Sequence, residues 1–154
     1  MLDKALIGRH LGAPSILVEA GAVRNFARAI GETDPICTDV AAARAAGLPS
    51  LRVPPTFLFC LQAMIAPTRD VLEIAKLDLA RILHAEQGFT FRAPAFAGDT
   101  LTFDRSIVDV YDKKGGALEF LVMETKVTNQ SGVHVADLRA SLVQRQIRRE
   151  GASA

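Results

Sequence analysis

Hydrophobic and polar positions change their period near the middle of the chain. From Ala20 to Ile30 the apolar residues Val23, Phe26, Ala27 and Ile30 fall at i, i+3, i+4 and i+7, with Arg24, Asn25 and Arg28 on the other side. That is the helical period. Gly31 follows, suited to a left-handed cap. In Glu32-Thr33-Asp34-Pro35 the proline drives Asp34 out of helical angles, which predicts a loop with side chains held in fixed directions. Thr38 or Asp39 can cap a short helix over Val40–Ala46, which Gly47 ends, and 48–53 reads as a loop. Pro54-Pro55 then opens the run T-F-L-F-C-L-Q-A-M-I-A, in which Gln62 is the only strongly polar residue. A helix apolar on almost every side is expected to be surrounded, with Pro67 stopping it. Residues 68–83 are mixed and partly helical, with Leu72, Leu79 and Leu83 as expected anchors. Upstream, 14–19 reads as a short strand or extended lead-in.

After His84 the period becomes two. Phe89 and Phe91 alternate with Thr90 and Arg92, and Leu101, Phe103, Arg105 and Ile107 alternate with Thr102, Asp104 and Ser106. Leu118, Phe120 and Val122, then Val133 and Val135 through Val143, continue it. Breaks fall at 94–98, 112–116 and 129–132, and K-K-G-G and N-Q-S-G read as hairpin turns. Helices first and an antiparallel meander second make an α+β chain. One apolar helix of about three turns and a twisting sheet are reconciled by curling the sheet around the helix, the hot-dog fold. An exposed edge strand would remain, so dimerisation through that edge or through the helical side is expected.

Composition narrows the function. With 154 residues, 49% hydrophobic and 23% charged, the chain reads as one domain over 1–147 with a tail at 148–154. A net charge of +1 gives no broad field toward nucleic acid or a membrane surface, and Arg145, Arg148 and Arg149 read as a solvated tail. No apolar run approaches the roughly 18 residues of a membrane span. Asp3, Lys4 and Arg9 interrupt any signal-peptide core, so a cytoplasmic setting is expected. Cys37 and Cys60 form neither a disulfide framework nor a metal spacing. There is no G-x-x-x-x-G-K-S/T, G-x-G-x-x-G or H-E-x-x-H pattern, so no metal, nucleotide or flavin cofactor is expected.

Three stretches carry a resemblance: F-A-R-A-I-G-E-T-D-P-I-C-T-D-V-A-A-A-R-A-A-G, V-P-P-T-F and L-H-A-E-Q-G-F-T-F-R-A-P-A-F-A-G-D-T-L. Together they resemble the MaoC-like family of (R)-specific enoyl-CoA hydratases and hydroxyacyl dehydratases, in its N-terminal, FAS1-like branch, over about residues 15–145. The resemblance implies a ligand that is an enoyl or 3-hydroxyacyl thioester of CoA or acyl carrier protein. In catalytic members the loop reads Gly-Asp-x-Asn-Pro-x-His, and its aspartate and histidine activate water and protonate the α-carbon. Here it reads Gly31-Glu32-Thr33-Asp34-Pro35-Ile36-Cys37, so Glu32, Asp34 and Cys37 occupy the positions of the aspartate, asparagine and histidine. A thiol, with a reference pKa of about 8.5, is a poor stand-in for imidazole. A carboxylate moved by about 1 Å can lose on the order of 100-fold in rate. The resemblance therefore implies the substrate-binding, catalytically degenerate half of a two-hot-dog dehydratase whose mate supplies aspartate and histidine. Alternatives are a homodimeric hydratase using Glu32 and Asp34, a non-catalytic acyl-thioester-binding module, and a hot-dog thioesterase.

Each candidate has a plainer counterpart. Cys37 is a nucleophile or a small buried filler, and the filler is favoured because no histidine lies near it in sequence. Cys60 reads as core. Glu32 and Asp34 are a carboxylate pair acting on water, or only turn formers behind Gly31. Pro54, Pro55, Thr56 and Phe57 start the apolar helix, and free N–H groups there could hold a thioester carbonyl. By the resemblance His84 lies near the substrate tunnel or a subunit interface; otherwise it is a hydrogen-bonded strand-start histidine. Gly98-Asp99 reads as a turn, and His10 and His134 as surface or strand positions.

Overall fold

The computed structural model describes residues 1–66 and 68–146. Pro67, expected to stop the apolar helix, and the tail with Arg148 and Arg149 lie outside them. In chain order the elements are β1 (Ser15–Leu17), α1 (Ala20–Ala29), α2 (Val40–Ala45), α3 (Phe57–Ile65), α4 (Thr68–Ala75), β2 (Ile82–Phe91), β3 (Thr100–Lys113), β4 (Leu118–Thr128) and β5 (His134–Arg145). Helix α1 buries Val23 and Ala27 from its stripe, and Gly31 at φ +72° closes it in the left-handed conformation. Asp39, rather than Thr38, caps α2, its Oδ1 accepting from the N–H of Ala41 at 2.7 Å.

One antiparallel sheet has the order β1-β3-β4-β5-β2. Strands β3, β4 and β5 form the expected meander, but β2 does not begin it. It crosses to the far side of β5, pairing Phe89 with Leu138 and Phe91 with Ala136. Alternation sets which face a strand buries but not which neighbour it takes, so this order was not in the pattern. The edges are therefore the three-residue β1 and the ten-residue β2.

The sheet curls over α3, and a core cluster joins Phe57, Leu58 and Leu61 to Leu101, Phe103, Val127 and Leu138. This is the α+β hot-dog arrangement. Its helix is surrounded on one side only: Phe59 is 36% and Met64 66% exposed. A second cluster places Val71 and Ala75 of α4 against Ile107, Val110, Leu121 and Leu142. The anchors are thus Val71 and Ala75, whereas Leu72 is half-buried and Leu79 and Leu83 are 71% and 70% exposed. Leu79 and Leu83 lie beyond the end of α4, in the turn before β2 and on β2 itself, so only Leu72 was a matter of helical phase.

Two charged groups are built into the interior. Arg105 takes an inner position beside Phe103 and Ile107 and donates from Nη2 to the Leu11 carbonyl at 3.0 Å. Burial pushes its pKa down, and Asp70 opposes that. Glu119 is buried on β4 and accepts from the Leu2 N–H at 2.6 Å and from the Gln146 amide, with the Met1 ammonium 3.2 Å away. Burial raises its pKa, but the hydrogen bonds and the ammonium outweigh that and hold the carboxyl below its ordinary value. A depressed carboxylate contributes stability above its unfolded value of about 4.3 and loses it as pH falls through the folded value. Glu119→Gln is expected to cost about 1–3 kcal/mol at neutral pH. The variant should also lose less stability than the parent on acidification from pH 5 to 3, checked by urea unfolding across that range; parallel pH profiles would exclude this role.

Candidate functional site

The loop after α1 is folded by its own carboxylates. The Glu32 N–H donates to the Ala27 carbonyl at 2.9 Å, and Glu32 Oε1 accepts from the Asp34 N–H at 3.0 Å. Asp34 Oδ1 accepts from the Ile36 N–H at 3.1 Å and caps the single 3₁₀ turn Pro35–Cys37. Both carboxylates therefore hold the turn while their residues stay exposed. Cys37 ends the turn at 4% exposure. Burial pushes its thiol pKa up, Glu32 and Asp34 add to that, and Arg52 opposes it. At neutral pH the thiol stays protonated, and it packs as a small apolar residue.

Arg52 ties this loop to a cavity. Its N–H donates to the Ile36 carbonyl at 3.0 Å. The segment around it runs beside 95–97, with Val53 N–H to the Ala95 carbonyl and Ala97 N–H to the Leu51 carbonyl, both at 2.9 Å. The chain then enters α3 through Pro54-Pro55. Between this entry and the end of β2 lies a cavity of about 230 Å³, lined by Arg52, Val53, Pro55, Leu58, Phe91, Arg92, Ala93, Pro94, Ala95 and Val135. Of the four residues expected to bind substrate at the helix start, only Pro55 lines it. Pro54 and Phe57 are buried, Phe57 with its ring 4.7 Å from Phe26, and Thr56 is exposed. The expected free N–H groups are largely taken, since Phe57, Leu58 and Phe59 donate to the carbonyls of Pro54, Pro55 and Thr56 at 2.9, 3.4 and 3.2 Å. A tight first turn closes on itself, so the helix start offers the cavity an apolar wall.

The remaining candidates fall elsewhere. His84 is exposed on edge strand β2, stacked on Phe59 of α3 with centroids 5.5 Å apart, which puts it on the uncovered side. Cys60 is half-buried against the first core cluster. Asp99 accepts from the Phe96 N–H at 2.8 Å and from Gln130 at 3.0 Å, and Gly98 sits at φ +97°, so this pair is a turn. His10 pairs with Asp104 and His134 with Asp137, each at 2.7 Å. Among the described residues no group of three or more His, Cys, Asp or Glu side chains is placed to hold a metal. Sequence reasoning missed Arg52, the Phe91–Ala95 wall and Val135; the available signal was an arginine directly before the V-P-P helix entry.

With a curled sheet over one helix and this loop beside its entry, the comparison with known families is decisive. The family model described as "FAS1-like, dehydratase domain region" matches residues 5–138. The chain belongs to that family. Its MaoC-like character is supported by a solved MaoC-like dehydratase, 26% identical with a TM-score of 0.79, covering 92% of this chain and 43% of that one. The C-terminally truncated HadBC (3R-hydroxyacyl-ACP dehydratase) complex of Mycobacterium tuberculosis is similar at 25% identity and a TM-score of 0.74, covering 89% of this chain and 96% of that one. A UPF0336 protein of Clavibacter michiganensis is 38% identical over 145 residues, 94% of this chain and 96% of the relative. Among the described residues of this FAS1-like dehydratase chain, no helix is long and apolar enough to cross a membrane.

Proposed function

We propose that the chain is the substrate-binding, catalytically degenerate subunit of a heteromeric (R)-specific hydratase acting in the cytoplasm on 3-hydroxyacyl or enoyl thioesters of CoA or acyl carrier protein. One observation carries this: at the family's acid–base positions, Glu32 and Asp34 bond their own loop's N–H groups and Cys37 is a buried, protonated thiol. Hydration needs a base for water and an acid for the α-carbon on one face of the substrate, and such groups supply about 10²–10⁴-fold each. A mate carrying Gly-Asp-x-Asn-Pro-x-His would supply both. The similar HadBC dehydratase is itself a complex, and this chain's uncovered α3 side and unpaired β2 edge supply a surface for a mate.

The test is hydration of a short enoyl-CoA by the purified chain, alone and mixed with a MaoC-like protein from the same organism that carries Gly-Asp-x-Asn-Pro-x-His. Near-silence alone and at least a hundredfold gain over either protein on mixing are expected. Full turnover alone, abolished by Glu32→Gln, would establish the homodimeric hydratase instead. Acyl-thioester binding with no turnover in either sample would make the chain a binding module, and release of free CoA a thioesterase.

A further inference from the structure

We infer that Arg52 selects the ligand of the cavity beside α3, a mostly apolar group that ends in an anionic oxygen group. This rests on the acyl-thioester reading above and adds the charge of what the cavity holds. Its walls are the apolar groups of Val53, Pro55, Leu58, Ala95 and Val135.

Two guanidinium residues line the same space, and they differ in commitment. Arg92 is held by Asp137, with Nη2 and Nε at 3.1 and 3.2 Å from one carboxylate oxygen, and the same aspartate pairs with His134. Arg52 forms no salt bridge among the described residues. Its backbone is fixed by the bond to Ile36, so its position does not depend on what its side chain binds. A guanidinium without a carboxylate, next to an apolar slot, matches a carboxylate or phosphate in charge and in the geometry of its paired N–H donors. Two sources offer that chemistry: the phosphate end of a pantetheine arm lying in the slot, or a carboxylate at the far end of an acyl chain.

Isothermal titration of the full chain, with no turnover involved, separates them. One pair of probes is CoA against pantetheine; the other is adipoyl- against hexanoyl-N-acetylcysteamine. The anionic member of at least one pair is expected to bind about three- to fivefold tighter than its neutral counterpart, the effect of an ion pair at a guanidinium that stays exposed to solvent. That preference should weaken with added salt, vanish in Arg52→Gln and return in part in Arg52→Lys, with the melting temperature of each variant confirming the fold. Preference within the CoA pair assigns the phosphate, and within the adipoyl pair the carboxylate. Equal binding in both pairs, a preference that survives Arg52→Gln, or no binding of any probe at millimolar concentration would overturn the inference. If mixing gives no catalytic gain but the Arg52 dependence holds, the subunit role fails while ligand selection stands. A catalytic gain without that dependence leaves the subunit role standing and removes the ligand selection.

Discussion

Replacing Phe103 by alanine is expected to destabilise the chain by about 3–5 kcal/mol. Phe103 is fully buried on the inner face of β3, opposite Val127, in the cluster that α3 closes. Truncation removes the ring's transfer free energy and leaves a void between a β-ladder and a helix, two elements with little freedom to collapse into it. Against a typical total of about 5–15 kcal/mol, the loss is a large share of the fold's stability. For a domain of this size it corresponds to a fall in melting temperature of roughly 6–20 °C. Calorimetry with urea unfolding is the check, and a loss below about 1 kcal/mol would show that the sheet does not wrap the helix as described. Leu79→Ala, at a site 71% exposed, serves as the comparison and should change stability by no more than about 0.5 kcal/mol.

The second large effect is on association. Met64 on α3 and Leu83 on β2 are 66% and 70% exposed, and the same two elements meet where His84 stacks on Phe59. Strand β2 is an edge of the sheet, so among the described residues its outward N–H and C=O groups have no neighbouring strand, and β2 and α3 each carry an exposed apolar side chain. Lysine at such an edge is a natural device against pairing. Met64→Lys combined with Leu83→Lys is therefore expected to weaken binding to the proposed mate by about 100-fold or more, as loss of a hot-spot contact does in other interfaces. The catalytic gain on mixing should disappear with it, while the isolated variant keeps its unfolding midpoint because both side chains start in water. Light scattering on the separate and mixed proteins measures this. Undiminished association of the variant would move the interface elsewhere on the molecule.

Much of this fold is legible in the sequence. The stripe Val23, Phe26, Ala27, Ile30 and the glycine after it became a capped helix because period and cap chemistry are local. The long alternating segments became strands for the same reason, and placing Arg105 in the inner series with Phe103 and Ile107 agreed with its burial. Resemblance to the MaoC-like dehydratases identified the family. What could not be read was relational. Alternation along β2 is the same whether its neighbour is β3 or β5. The apolar sequence of α3 is the same whether all its sides meet this chain or one side meets another protein. Glu32 and Asp34 have the composition of a catalytic pair, and only the direction of their oxygens, toward the N–H groups of Asp34 and Ile36, shows them holding a turn. Arg52 offered only its place directly before the V-P-P helix entry, and a lone arginine in a loop is ordinary until a cavity opens beside it.

The crossover of β2 to the far side of β5 also governs how the molecule is assembled in time. Strand β2 ends at Phe91, but its partner ends only at Arg145, so the ribosome must add 54 further residues before the ladder can close. At about 5–20 residues per second that is a wait of roughly 3–11 s. Throughout it the nascent chain presents an unpaired strand carrying Leu83, Phe89 and Phe91. On the subunit role proposed above, a mate translated nearby would meet this strand with both its edges free, and synthesis of the two chains side by side would favour capture over aggregation.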